Sequence, residues 1–390
     1  MTIPQQLGRA RWLFVGGLAM VIALLANGSL HAAGPFTCFA KQPTFRAEMA
    51  DADLVVVAKL QFALPPDKDS GQQHAQFEIV EVLKGEKKGL IGGQVVVPHF
   101  DLGKAGDIFY FTKSGPPHLE WSSSVLLTPR MREYVHKVAE LPAEVTPRLQ
   151  FFLSHLDDKE EYIAHDACEE FDEISYADLA TLKPHLNREQ VLRWLENPEA
   201  LASRKRLYYR LLSICGTAGD ASLLEAKTKS ADRKDRLGLD QLLACYVMLQ
   251  GDSGLAMVEE RYLKNKRADY ADTYAAILAC RFHLTETNVL PRHRVIASLK
   301  LMLARPELAD LVIPDLAKLE EWTVADQLFD MYKNADTKTT WVRVPVVQYL
   351  RACPLDCAPA MLKECERIDP EAFKRGKIFV PVIAPAKTGS

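Results

Sequence analysis

The sequence predicts an α+β protein of two domains, a small antiparallel β-barrel followed by an α-solenoid of helical pairs. Three observations predict it. From Gly34 to about Thr128, short β-branched runs alternate with Gly- and Pro-rich turns. From Pro147 onward, apolar residues recur three or four apart, the spacing of amphipathic helices. Those helices fall into pairs at roughly 30–40 residue intervals, the range of α-solenoid repeats. No single pair can bury its own apolar stripe, so successive pairs must stack.

The chain has 390 residues, enough for a small domain and a repeat array. It is 48% hydrophobic and 25% charged, with a formal net charge of −3. Loss of a leader carrying Arg9 and Arg11 leaves 46 basic against 51 acidic side chains, a net −5. Such a balance argues against sequence-independent nucleic-acid binding, which needs a basic footprint.

Residues 1–33 read as a signal peptide. Arg9 and Arg11 precede the apolar run Trp12–Ala26, and small residues follow at Ala32, Ala33 and Gly34. The run is shorter than the ~20 residues of a spanning helix, with an uncleaved N-terminal anchor as the alternative. Either way the chain is expected to be exported, periplasmic or envelope-associated. No span is expected in the mature chain.

Residues 34–130 are assigned to the barrel. Five strands are expected at Leu54–Phe62, Ala75–Leu83, Gln94–Val97, Ile108–Thr112 and Trp121–Leu127. A phase shift at Ile79-Val80 points to a bulge. Turns are expected at Pro65–Asp67, Lys84-Gly85, Gly92-Gly93, Gly103–Asp107 and Ser114–Pro117. The run from Cys38 through Ala52–Val55, Phe77–Gly85, Val95–Val97 and Gly106–Phe111 resembles the netrin-type, or tissue-inhibitor-of-metalloproteinase-like, domain. That resemblance implies an OB-like five-stranded barrel. The family's inhibitors chelate a protease's zinc with an N-terminal Cys. Cys38 stands several residues into the expected mature chain, so that chemistry is not carried over.

Residues 131–145 are read as a linker containing a helix over Glu133–Glu140, and 146–378 as the array. The first pair spans Pro147–Leu182. Asn187 caps the second, which runs to Cys215 and stops at Gly216; the third ends at Leu249 before Gly251. Ser253–Leu263 with Ala271–Phe282 form the fourth, and Pro291 to about Leu319 the fifth. Val324–Tyr332 with Trp341–Arg351 form the sixth, and Ala358–Ile368 with a short helix from Pro370 the seventh. Residues 379–390 form a flexible tail. This half resembles HEAT repeats. Signal, barrel and array together resemble a set of uncharacterised exported bacterial proteins with HEAT-like repeats, a resemblance that implies architecture and no activity.

Of the eight cysteines, Cys168, Cys215, Cys245 and Cys280 fall in second helices of successive pairs. Equivalent positions in stacked helices lie about 8–10 Å apart, too far for a bridge, so these four are expected to be free and buried. The turn Cys353–Cys357 is able to bring two sulfurs together. No HExxH, Gly-x-Ser-x-Gly, Walker loop or dinucleotide fingerprint occurs. His165, Asp166 and Cys168 read as a solvated helix surface with a buried Cys. No catalytic residue, cofactor or metal is assigned. Arg204, Lys205, Arg206 and Arg210 form a basic strip, read as a solvated face or as a surface for an acidic partner.

The candidate partner-binding residues are Arg281, His283, Trp341, Arg343 and Arg351. If the array is regular, all five lie on second-position helices that line its concave face, where exposed Trp and Arg serve as anchors. The opposing reading packs Trp341 between repeats and pairs Arg343 with Glu320 or Glu321. The sequence thus points to a non-enzymatic protein-binding or scaffold protein that takes a protein or peptide. The rivals are a hydrolase with a site at the barrel–solenoid junction and a protease inhibitor acting through the barrel.

Overall fold

The computed structural model describes residues 43–378, apart from 67, 69–70, 72, 87–88, 99–102, 116–119, 122–124 and 338. The expected leader, Cys38, the tail and parts of the turns at Pro65–Asp67 and Ser114–Pro117 lie outside the described residues.

The strands are β1 (Leu54–Ala63), β2 (His74–Lys84), β3 (Gln94–Pro98), β4 (Ile108–Ser114), β5 (Glu120–Trp121) and β6 (Val125–Leu127). They form one antiparallel sheet in the order β3-β2-β1-β4-β5, with β6 also on β4. The expected barrel is corrected to an open sheet. The fifth apolar run is cut in two: β6 pairs with Ile108–Tyr110 and β5 with Lys113-Ser114, both beside β4. Among the described residues no strand remains to close back onto β3. The expected bulge is present: Val57 pairs with Glu81 and Ala58 with Ile79, leaving Val80 unmatched. A bulge of this kind steepens local twist.

Alternation gives the sheet two buried faces. On one, Phe77 meets Phe109 and Phe111 edge-on over the small Ala58, with ring centroids 5.3 and 4.8 Å apart. The other carries Val55, Val57 and Tyr110 into a core that continues through the helices as far as Phe373. Helix α1 (Phe45–Asp51) covers part of that face. It lies where the sequence pointed only to strands. Thr44 caps it by accepting from the Ala47 N–H at 3.1 Å. Helix α2 (Pro129–Ala139) starts four residues before the expected linker helix, because Thr128 caps it and Pro129 suits a first turn.

The array comprises α3 (Val145–Leu153), α4 (Glu161–Glu169), α5 (Tyr176–Ala180), α6 (Arg188–Glu196), α7 (Ala202–Cys215), α8 (Ala221–Lys229), α9 (Leu239–Gln250), α10 (Asp252–Val258), α11 (Tyr270–Thr285), α12 (Arg292–Lys300), α13 (Ile313–Lys318), α14 (Ala325–Asn334), α15 (Arg343–Ala352), α16 (Ala358–Ile368) and α17 (Pro370–Ile378). Helices pack on near neighbours in sequence: α6 on α7, α8 on α9, α11 on α12, α14 on α15 and α15 on α16. A row also forms from alternate helices, α7 on α9 on α11 and α13 on α15 on α17. This large helical part is consistent with a solenoid.

The sequence signals act where they stand. The Asn187 side chain accepts from the Gln190 N–H at 3.0 Å. Gly251 takes φ 60° between α9 and α10, a conformation that disfavours other residues. Pro291 caps α12 rather than entering its first turn.

Candidate functional site

The array's charges explain most of its polar side chains. Arg188 pairs with Asp220, Arg206 with Asp240, Arg236 with Asp272 and Arg281 with Asp315. The partners stand 32, 34, 36 and 34 residues apart. Each arginine therefore reaches the carboxylate of the following pair. Its planar fork makes it suited to such fixed, part-buried pairing.

Four of the five candidate residues belong to this internal chemistry. Arg281 donates to Asp315 at 2.9 and 2.8 Å and to the Leu311 carbonyl at 2.8 Å, tying α11 to α13. His283 is 3% exposed and does not reach an open face. It lies 2.9 Å from Thr287 Oγ1 and 3.2 Å from the Ala244 carbonyl, and burial pushes its pKa down to about 4. Arg343 donates to Asp369 at 2.8 Å and to the Ala335 carbonyl at 3.1 Å, and lies over the Tyr332 ring. Its carboxylate is thus Asp369, not Glu320 or Glu321. Arg351 donates to the Gly376 and Lys377 carbonyls at 3.1 and 2.9 Å, closing the C-terminal end of α17.

Trp341 differs. It is 46% exposed, and its indole N–H donates to the Glu307 carbonyl at 3.2 Å. The chain neighbours of the two bonded residues, Pro306 and Val342, belong to the lining of a cavity of about 500 Å³. Pro306, Met331, Ala335 and Val342 give it apolar surface; Gln327, Asp330, Asn334 and Thr339 add polar groups. An amphipathic ring held by its polar edge presents its apolar face at little entropic cost.

A second concavity, of about 620 Å³, opens between the sheet and α2. There Glu81 of β2 pairs with both Arg132 and His136, one turn apart on α2. Deeper in the same junction, Asp166 of α4 accepts the Phe45 N–H at 2.8 Å and the Tyr134 hydroxyl at 2.7 Å. Glu170 accepts from Arg46 Nε at 2.6 Å and from Thr44 Oγ1. Burial and then Asp166 raise the Glu48 pKa to about 7, and burial raises that of Asp166 to about 6. Asp166 is thus a buried latch for α1, a correction to the solvated surface expected of it.

Cys168, Cys245 and Cys280 are buried free thiols and Cys215 is half-buried. Cys353 and Cys357 are not bridged. Among the described residues no group of three or more His, Cys, Asp or Glu is arranged to hold a metal ion, and no helix is long and apolar enough to cross a membrane.

No protein-family model, no curated protein and no solved structure matches this chain.

Proposed function

We propose that the chain is an exported, non-enzymatic binding or scaffold protein whose HEAT-like array takes a peptide segment of a partner protein at Trp341. One observation carries the reading: an exposed tryptophan, held by the Glu307 carbonyl, adjoins in the chain Val342 of a cavity lined by both apolar and polar side chains. The recurrent Arg–Asp spacing supports the HEAT-like repeat, and the N-terminal run from Arg9 to Ala33 supports export. The arginines serve as braces that keep the stack rigid.

The test is affinity capture from envelope extracts with wild type, Trp341→Ala and the pair Arg343→Ala plus Arg351→Ala. Trp341→Ala loses the captured partner with a melting temperature close to wild type. The double arginine variant melts lower, because two ties to α17 and its preceding turn are cut. Equal capture by wild type and Trp341→Ala counts against the reading.

The hydrolase alternative draws on the junction cleft, where Glu81 lies between Arg132 and His136. Turnover on a hydrolase panel that disappears in His136→Gln would favour it.

A further inference from the structure

The cavity that Pro306 and Val342 help to line has two kinds of polar side chain, engaged and free. Asp330 pairs with Lys333 at 2.8 Å. Thr339 Oγ1 donates to Asp336 Oδ1 and accepts the Asp336 N–H, each at 3.0 Å. Gln327 and Asn334 are exposed, and neither carboxamide has a hydrogen-bond partner among the described residues.

The two free carboxamides are ordered by their helix. Gln327, Met331 and Asn334 all line the cavity from α14, at positions i, i+4 and i+7. Seven residues bring a helix back to almost the same direction, with a rise of about 10 Å. The carboxamides therefore leave α14 along one line, with Met331 between them. Each carries both donors and an acceptor.

That spacing fits an extended main chain. In a strand, the N–H of one residue and the C=O of the residue two further on share an edge, about 9 Å apart along it. Rotation of two flexible side chains covers the difference. The charge of the lining points the same way. Among the described lining residues Asp330 is the one charged group, and Lys333 balances it. A cavity with free amides and no free charge suits neutral peptide units better than an ion.

We propose that the cavity binds an extended peptide segment edge-on to α14, with Gln327 and Asn334 hydrogen-bonding its main chain. An apolar side chain of the segment sits against Met331, Ala335 and Val342. This inference rests on the peptide-binding reading above and adds how the peptide is held. Main-chain hydrogen bonds supply affinity whatever the sequence, so selectivity falls on the one apolar position.

The test takes its probes from random-peptide phage display on the immobilised full chain. Enriched peptides are synthesised and titrated by fluorescence polarisation. Gln327→Met and Asn334→Leu keep side-chain bulk and remove the carboxamides. Both variants melt close to wild type, because neither side chain has an internal partner to lose. Each weakens peptide binding by about 3- to 10-fold, the range for a neutral hydrogen bond. N-methylation of one peptide N–H costs the wild type a similar factor and costs nothing further in one of the two variants. Trp341→Ala separates this inference from the reading beneath it. Peptides that need Trp341, yet bind both carboxamide variants as tightly as wild type, overturn this inference alone. No enriched peptide, or glycans bound on an array in place of peptides, overturns both.

Discussion

The sheet–helix junction and the helical array bury acidic groups in opposite ways. In the array a carboxylate meets an arginine from the preceding pair, as Asp220 meets Arg188 and Asp315 meets Arg281. At the junction Asp166 meets a phenol and a backbone N–H, Glu48 faces Asp166 and Tyr110, and Arg46 is engaged by Glu170. In the array, Arg188 beside Asp220 holds that carboxyl below the usual carboxylate range. The junction favours protonated Glu48 and Asp166. The junction has ion pairs too, and adds two carboxyls that burial pushes up, so the two regions should respond differently to acid.

The largest effect is expected where a brace is cut. Asp220 is 4% exposed and also accepts the Thr217 N–H at 2.7 Å. Asp220→Ala removes the carboxylate that accepts from both Arg188 and the Thr217 N–H, and should lower stability by about 3 kcal/mol in urea unfolding, the upper end for hydrogen bonds to a charged group. A smaller steric break lies at the α15–α17 contact. A Cβ at Gly376 would stand 2.6 Å from Val347 Cγ1. Gly376→Ala should cost about 1–3 kcal/mol, the range for overpacking.

Acidity should separate the two regions. The Glu48 pKa is raised from 4.5 to about 7, so the folded junction holds its proton more tightly than the unfolded chain. Its contribution is full below pH 4.5 and is lost as pH rises through about 7. His283 in the array runs the other way. Its pKa falls from 6.5 to about 4, so its contribution is full above pH 6.5 and is lost as pH falls through about 4. The two trends oppose each other in a global melt, so the check is local hydrogen exchange. From pH 7.5 to 5.5, protection factors in α1 should rise, and those in α11 near His283 should fall. Glu48→Gln should flatten the first trend and leave the second. Equal trends in both regions would erase the contrast.

The smallest expected effect is a gain. Glu320 takes φ 57° at the end of α13, where the Glu321 N–H donates to the Leu316 carbonyl at 2.9 Å. This is a left-handed helix stop that favours glycine. Glu320→Gly should add about 0.5–1 kcal/mol to stability.

Local pattern made much of the fold legible. The first four strands follow the β-branched runs to within a residue or two, and the Val80 bulge follows from the broken alternation; the fifth run is split into two short strands. Asn187, Gly216 and Gly251 mark helix ends because each solves a local hydrogen-bonding or φ problem. What escaped is non-local. Helix α1 has seven residues, too short for a periodic signal, and it is held by Asp166, more than a hundred residues away. The barrel failed because closure depends on how strands meet across the sheet, which alternation within each strand does not encode. The same limit applied to the candidate site. An arginine bound for solvent and one bound for a carboxylate 34 residues on look alike in sequence, as Arg281 illustrates.

The most direct test of the binding account is site-specific photo-cross-linking of the full chain in envelope extracts. A photoreactive residue is placed at Trp341 and, as a control, at Tyr270, which is 58% exposed. The account predicts a discrete adduct at position 341 and none at 270. No adduct at 341, or the same adducts at both positions, would contradict it.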